Sequence, residues 1–416
     1  NFLAFQMLNV RSNDRDFLLS VQADLIEQLD NLQGDARHFD QPSPGLPNEG
    51  GSFTILSPIQ ASLPSGLYPG VMEVKLSSEM PAGMIRYTID GSIPDSRSPL
   101  YETPLSISNA TILRARSDLG EMGLGPISTW HYTTAERSLG MFSSNLPVVV
   151  VDSFGRGISS ASRTRGIIQI FEPGESGRAR LDEAPTLSEE GTFKVRGSST
   201  EGRPKKAYNF ELQDMHGDDL DREVLGMPAD SDWILYAPYN FDRALIRNAF
   251  MYAVSNQLGM YAVRTRFCEV YVNSRRGRNL TQSSYVGVYV LMEKIKRGAD
   301  RVPVEKLLSK HTGRPDVSGG YILKIDRLDP GDSGFSGGGQ SLAHVYPKEE
   351  NRTAAQLSFL RNHLDAFDRA VRGRTPTDPI RGYSRYIDVE SFVDFHMLNE
   401  FTKNPDGLRL STYMHL

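Results

Sequence analysis

The chain has 416 residues, 39% of them hydrophobic and 23% charged, which excludes a disordered or fibrous protein and leaves room for two or three domains. Its 46 Lys and Arg residues against 51 Asp and Glu residues give a net charge of −5, which excludes a broad cationic surface for nucleic acid. A single cysteine excludes an internal disulfide framework and a Cys-rich zinc site, and no apolar run approaches the roughly 20 residues of a membrane span.

The first 50 residues contain one predicted helix. Apolar residues recur at spacings of three and four between Arg15 and Leu32. The following segment, 41–51, holds three prolines and three glycines, which interrupt any regular element. We therefore interpret 1–50 as the tail of a preceding domain and a linker. Because the chain starts at Asn1 without an initiator Met or an apolar leader, we expect it to be a fragment of a longer protein.

Residues 51–134 are predicted to form a small all-β sandwich, because short alternating segments are separated by turns. The predicted strands are 70–77, 84–89, 105–108, 111–117 and 127–132. The order of these segments, with Ile-Arg-Tyr-Thr-Ile-Asp-Gly-Ser-Ile-Pro-Asp at 85–95 and Thr-Ile-Leu-Arg-Ala-Arg at 111–116, resembles the C-terminal domain of chitobiases and β-hexosaminidases. Tyr101 or Trp130 could stack on the sugars of a polysaccharide, or both could belong to the small core.

A connector at 135–145 precedes a larger predicted α+β domain, 146–416. The β-branched run 146–151 predicts a buried strand, and Asp242 is expected to cap a helix that ends near Leu258. Further helices are predicted at 353–372 and after Asp388. The other predicted strands are 166–171, 192–196, 207–212, 268–272, 285–293 and 320–325. Because strands precede helices without βαβ alternation, a doubly wound nucleotide fold is not expected.

The strongest chemical signal is the basic loop at 194–206. Gly197 and Gly202 permit close backbone approach to a ligand. Hydroxyl groups could donate hydrogen bonds to phosphate while Arg and Lys side chains supply positive charge. The loop residues with these properties are Arg196, Ser198, Ser199, Thr200, Arg203, Lys205 and Lys206. The loop is not a Walker A motif, and an ordinary solvated hairpin tip remains open as an alternative.

Three other signals are individually ambiguous. Arg247 interrupts an apolar helix face and either reaches into a cleft or extends its charge to the surface. Glu293 and Asp326 each end an apolar strand, either lining a site or lying in solvent. Asp406 lies on the turn Asn-Pro-Asp-Gly between a helix and a strand, which suits a carboxylate that accepts a proton or holds a metal ion, although such turns are also common structural elements.

The order of these motifs resembles the CotH (spore-coat protein H) kinase family. The matching segments are Leu-Pro-Val-Val at 146–149, Arg-Gly-Ser-Ser at 196–199, Pro-Lys-Lys at 204–206, Leu-Ile-Arg-Asn at 245–248, Glu-Lys-Ile at 293–295, Gly-Gly-Tyr at 319–321 and Asn-Pro-Asp at 404–406. The resemblance implies an atypical protein-kinase-like fold that binds ATP and Mg²⁺ and phosphorylates Ser or Thr of partner proteins.

The same resemblance implies residue roles. Asp406 would be the catalytic aspartate and a possible metal ligand, and Lys206, or alternatively Lys205, would contact nucleotide phosphates. The phosphate-facing loop would contain Arg196 and 198–200. Glu293 would lie near the nucleotide, with Arg247 as a further nucleotide-binding candidate. Ser198 stands where family members commonly have Asn. The family's main metal-binding aspartate is expected about twenty residues after the Asn-x-Asp turn, beyond Leu416, so we expect the domain to be C-terminally incomplete.

The resemblances also imply a bacterial protein that is secreted or held at the cell surface, similar to spore-coat proteins. The alternative is a non-catalytic extracellular protein that uses the kinase-like fold as a scaffold and binds glycan through 51–134. A glycosidase is the weaker interpretation, because no pair of carboxylates can be assigned a defined separation. No nucleic-acid partner or membrane span is expected.

Overall fold

The computed structural model describes residues 57–78, 84–120, 123–197, 200–275, 279–328 and 332–416. The predicted helix at 15–32, the linker at 41–51 and the two candidate residues Ser198 and Ser199 lie outside these described residues.

A β module opens the described chain. Its main sheet has the strand order β2-β8-β7-β5, and two strand pairs, β1 with β4 and β3 with β6, accompany it. The module core combines Ile85 and Leu113 with Tyr132, and Tyr101 is buried within it while Trp130 packs against it half-buried. The strands are β1 (Gln60–Ala61), β2 (Gly66–Pro69), β3 (Met72–Val74), β4 (Leu76–Ser77), β5 (Ile85–Thr88), β6 (Leu105–Ile107), β7 (Thr111–Ser117) and β8 (Ser128–Ala135).

A closed seven-stranded barrel follows. Its strand order is β10-β11-β13-β14-β17-β19-β18, and the parallel pairing of β10 with β18 closes it. Phe193, Phe210 and Trp233 fill the interior together with β-branched side chains. The strands of this region are β9 (Ser143–Ser144), β10 (Val148–Asp152), β11 (Thr164–Phe171), β12 (Ala179–Arg180), β13 (Leu187–Arg196), β14 (Ala207–Gln213), β15 (Arg222–Val224), β16 (Met227–Asp230), β17 (Asp232–Tyr236), β18 (Thr265–Asn273) and β19 (Tyr285–Glu293).

The first α-helix, α1 (Arg247–Gln257), begins later than the sequence predicts. Leu245 has φ of 60°, which interrupts a right-handed helix there. The carboxylate of Asp242 nevertheless accepts a hydrogen bond from the Arg247 amide at 2.9 Å, so it satisfies a free amide of the first turn. Among the predicted apolar stripe only Ala249 is buried, whereas Phe250 is 54% exposed.

The remaining chain forms a second sheet with two helices. The sheet has the order β21-β22-β20-β23, and Phe335, Leu342 and Leu360 pack between it and the first of these helices. Within the described residues, no helix is both long and apolar enough to cross a membrane. The elements are β20 (Ile322–Ile325), β21 (Gly334–Gly337), β22 (Gln340–Tyr346), α2 (Ala354–Arg372), α3 (Val389–Thr402) and β23 (Thr412–His415).

The predicted starts of the two helices in this region are confirmed, and so is the predicted cap at Asp388. Thr353 accepts a hydrogen bond from the Gln356 amide and completes a capping box at the start of α2. Asp388 accepts hydrogen bonds from the Glu390 and Ser391 amides at the start of α3. These residues act through neighbours two or three positions away, which is why local sequence is enough to identify them.

The expectation of an α+β kinase-like domain is not confirmed. The described structure is mostly β, with a β-rich N-terminal region followed by a barrel and a second sheet, and it contains three α-helices. The long strands β13, β14, β18 and β19 pair with each other around the barrel rather than alternating with helices. Strand pairing between distant segments therefore determines the architecture.

Candidate functional site

One end of the barrel carries the predicted basic loop. Strand register places the last residues of β10, β13 and β18 at the same end, where Asp152 is opposite Asn273 and Arg196 is opposite Ala207. The segment that joins β13 to β14 is the basic loop. The barrel thus brings the loop, the end of β17 and the approach to α1 to one rim, which we call the loop rim.

Lys205 joins β19 to the segment that follows β17. Its Nζ donates hydrogen bonds to the carbonyl oxygens of Pro238, at 2.9 Å, and of Val288. The same ammonium lies 4.8 Å from the centre of the Tyr289 ring, a cation–π contact. Burial lowers the pKa of Lys205. These contacts give Lys205 a structural position at the base of the loop.

Three further cations lie in or beside the loop: Arg203 is exposed, and Arg196 and Lys206 flank the loop. The Lys206 Nζ donates to the Glu201 carbonyl within the loop, while the Tyr289 hydroxyl donates to the Lys206 carbonyl at 2.7 Å. Both Lys206 and Arg196 are half-buried. The Lys206 ammonium can exchange its hydrogen bond to the Glu201 carbonyl for one to an anion without disrupting a strand.

Two tyrosines, Tyr236 and Tyr252, have pKa values that the charge of Arg196 influences. Burial raises the pKa of Tyr252 on α1, the charge of Arg196 opposes that rise, and Tyr413 on β23 adds to it. Burial raises the pKa of Tyr236 to about 12, with Asp242 and Tyr252 acting in the same direction and Arg196 against them. Arg196 and Tyr413 therefore both influence the pKa of Tyr252.

Asp406 lies on an exposed turn that leads into β23. Its amide donates to the side chain of Asn404 at 3.2 Å, and its carboxylate accepts from Arg409 at 2.6 Å. Three residues around it have left-handed backbone conformations, with φ of 50° at Lys403, 71° at Leu408 and 52° at Ser411. Such conformations are unfavourable for residues other than glycine, and they concentrate at functional sites.

The second sheet contributes two further polar residues near this turn. Ser411 donates a hydrogen bond to Asp326 at 3.3 Å, which connects the turn to the end of β20. Lys324 is opposite Tyr413 in the β20–β23 register and forms a 2.7 Å ion pair with Asp332. Sequence reasoning noted Asp326 but missed Lys324. The signal that could have identified it is a lysine inside the apolar run of residues 321–325.

Glu293 and Arg247 occupy different surroundings. Glu293 is fully buried at the opposite end of β19 from the loop rim, where it bonds to Arg264 at 2.5 Å and Arg301 at 2.9 Å. Two arginines thus already satisfy its carboxylate. Arg247 begins α1 with a 72% exposed side chain whose Nε lies 3.8 Å from Asp242. The structure therefore places Glu293 away from the loop, while Arg247 lies exposed at the start of α1.

Family models match both parts of the chain. The model described as CotH kinase protein matches residues 193–416, more than half of the chain. The chain belongs to the CotH kinase protein family. The model described as chitobiase/beta-hexosaminidase C-terminal domain matches residues 63–122, within the β module. Both resemblances noted in the sequence are therefore confirmed. A search of the curated proteins finds no significant match to this chain.

The described residues provide limited ligands for a metal ion. Nowhere in the described ranges do three or more His, Cys, Asp or Glu side chains cluster so that they could hold a metal by themselves. Mg²⁺ in nucleotide sites needs less, because one or two carboxylates together with phosphate oxygens suffice. Asp406, which is exposed, and Asp326, which is linked to the same turn through Ser411, are of the required chemical type.

Proposed function

We propose that this CotH-family protein phosphorylates Ser or Thr side chains of partner proteins with ATP and Mg²⁺. The observation that carries the proposal is the position of Asp406 on an exposed turn with unusual backbone conformations, in the turn that precedes β23. Phosphoryl transfer requires a proton acceptor and cations that bind phosphate, and the basic loop at 194–206 supplies such cations.

In this proposal, separate residues bind the phosphates and accept the proton. Arg196, Lys206 and the hydroxyl groups of the loop, including Thr200 and the two serines before it, bind and orient the phosphates. Asp406 accepts the proton of the attacking hydroxyl. Bound Mg²⁺ would neutralise negative charge on the phosphates, with Asp406 and Asp326 as the carboxylates of this chain available to it. The exposed ion pair between Asp406 and Arg409 stabilises little, so the carboxylate can exchange Arg409 for a substrate.

Transfer of labelled γ-phosphate from ATP to a Ser- and Thr-containing protein such as casein, or to the chain itself, tests the proposal. We expect Asp406→Asn to reduce the transfer rate at least about 100-fold, because the proton acceptor is lost. Asp378→Asn is the control, since Asp378 is another turn aspartate, half-buried, whose carboxylate accepts hydrogen bonds from backbone amides. Transfer that continues unchanged in the Asp406 variant would contradict the assignment.

One observation favours a non-catalytic scaffold as the second candidate function. The Asp406 carboxylate is already paired with Arg409, which lies three residues further along the same turn. If that pair has a purely structural role, Asp406→Asn will lower stability and the unaltered protein will bind ATP and Mg²⁺ no better than the variant. Calorimetric titration with ATP and Mg²⁺ separates the two functions.

We also propose that the protein acts outside the cell or at the cell surface of a bacterium. The supporting observations are the membership of the CotH family and the chitobiase-type module. Fractionation of the producing cells tests this proposal, and recovery of the protein only from the cytosol would contradict it.

A further inference from the structure

The β module is joined to the barrel by a continuous apolar surface. Leu67 and Ala135 of the module pack in one cluster with Val148, Val150 and Tyr271 of the barrel. The backbone continues this contact, since the Leu280 amide donates to the Thr134 carbonyl at 2.8 Å and the Glu136 amide donates to the Leu280 carbonyl at 2.9 Å. The module therefore packs directly against the barrel and is not connected to it through a linker alone.

Glu190 on β13 forms the polar centre of this interface. Its carboxylate is paired with Arg114 from the module and, at 2.6 Å, with Arg165 on β11. The Arg114 side chain is 1% exposed and that of Glu190 is 8% exposed, so both charges are removed from water. Burial alone would raise the pKa of Glu190, but hydrogen bonds from His131 and Arg165 and the charge of Arg114 lower it overall.

Gly91, which follows β5 in the module, completes the arrangement. Both arginines of the pair, Arg114 and Arg165, also donate hydrogen bonds to the carbonyl oxygen of Gly91. His131 of β8 lies within hydrogen-bond reach of the Ser188 carbonyl at 3.0 Å, and the fully buried Gln169 donates to the His131 carbonyl at 3.1 Å. Contacts from the β module and from β11 and β13 of the barrel thus surround the Glu190 carboxylate.

We infer that the β module is a permanently docked part of the barrel, recognised by the surface of β10, β11 and β13 and held there by the Glu190 ion cluster. Its partner is therefore the barrel of its own chain, and the two behave as one cooperative unit. Removing one member of a buried ion pair leaves the other charge unpaired in low dielectric, which is why a cluster of this kind opposes undocking strongly. The inference does not depend on the proposed kinase activity.

Hydrogen exchange of the intact protein, measured by mass spectrometry on peptides from β7 and β13, tests the inference. We expect both strands of the unaltered protein to exchange through the same opening and calorimetry to show one transition for them. Glu190→Gln should accelerate exchange of β7 at least about 100-fold while β13 remains better protected. The matched control is Glu189→Gln on the other face of β13, where the carboxylate forms an exposed pair with Arg222 at 2.7 Å.

A second variant keeps the test decisive if Glu190→Gln does not fold. Arg165→Met removes only the 42% exposed arginine of the cluster, and we expect a smaller acceleration of β7 exchange in the same direction. The inference is overturned if β7 of the unaltered protein exchanges much faster than β13. If β7 exchanges equally fast in the Glu190 and Glu189 variants, or if Arg165→Met does not change its exchange rate, the Glu190 ion cluster does not hold the module on the barrel.

Discussion

The buried carboxyl group of Asp152 provides a quantitative test of the barrel end. Asp152 is 1% exposed, accepts hydrogen bonds from the Phe154 amide at 2.8 Å and the Asn273 side chain at 2.7 Å, and faces no cation in these contacts. Burial raises its pKa from 3.8 to about 6, although both hydrogen bonds oppose the rise. We predict that Asp152→Asn, which keeps the shape but removes the ionisation, will change the pH dependence of stability.

The direction in which stability changes with pH follows from the linkage between ionisation and folding. Because the folded-state pKa lies above the unfolded value, the ionised group destabilises the fold above pH 6, and this penalty disappears as the pH falls from 6 toward 3.8. A difference of about two pKa units corresponds to about 3 kcal/mol. The free energy of unfolding of the variant minus that of the unaltered protein should therefore fall by about 2–3 kcal/mol between pH 7.5 and pH 4.

The pH dependence of the unaltered protein alone does not isolate Asp152, because a second buried group, His344, changes the stability in the opposite direction as the pH falls. Burial, reinforced by Arg352 and Arg361, lowers the pKa of His344 to about 4, so its stabilising contribution is lost as the pH falls below 6.5. Urea unfolding at several pH values measures the difference, and the exposed Glu73→Gln controls for the change in net charge. Parallel stability curves for Asp152→Asn and the unaltered protein would refute the reasoning.

Two further predictions separate structural from ligand-binding roles. Lys205→Met should lower the free energy of unfolding by about 1–3 kcal/mol, because it leaves two carbonyl groups without their donor. Lys206→Met should leave the free energy of unfolding near its original value and weaken ATP binding about tenfold. Urea unfolding measures the stability and calorimetric titration measures the ATP affinity, and the reverse pattern would exchange the two roles. Gly91→Ala should cost about 2–4 kcal/mol, because a Cβ at φ of 74° would lie 3.1 Å from the buried Ile112 side chain and 2.5 Å from the Arg165 guanidinium, which the Glu190 carboxylate holds in place. Gly70→Ala, at φ of 77° with open space, should cost only about 1–2 kcal/mol. Equal losses of stability in the two variants would show that backbone strain alone matters.

Several elements could be predicted because their causes lie close along the chain. The strand at 111–117 and the strand at 285–293 have the predicted bounds, and Thr353 and Asp388 cap helices as their positions indicate. By contrast, the apolar pattern before Leu258 predicted a buried face for α1 that the structure leaves largely exposed. Periodicity shows that a face is apolar, but only neighbouring elements determine whether it is covered.

The candidate site shows the same division. The sequence by itself determined the two domain families, the basic loop and the turn that carries Asp406, because these are local patterns of residue type and order. Only the tertiary structure showed that Lys205 links β19 to the segment after β17 and that Glu293 is satisfied by Arg264 and Arg301. The barrel closes through pairing of β10 with β18, and Glu190 meets Arg114 from 76 residues earlier in the chain. Such contacts depend on packing and desolvation between distant segments, which no local spacing encodes.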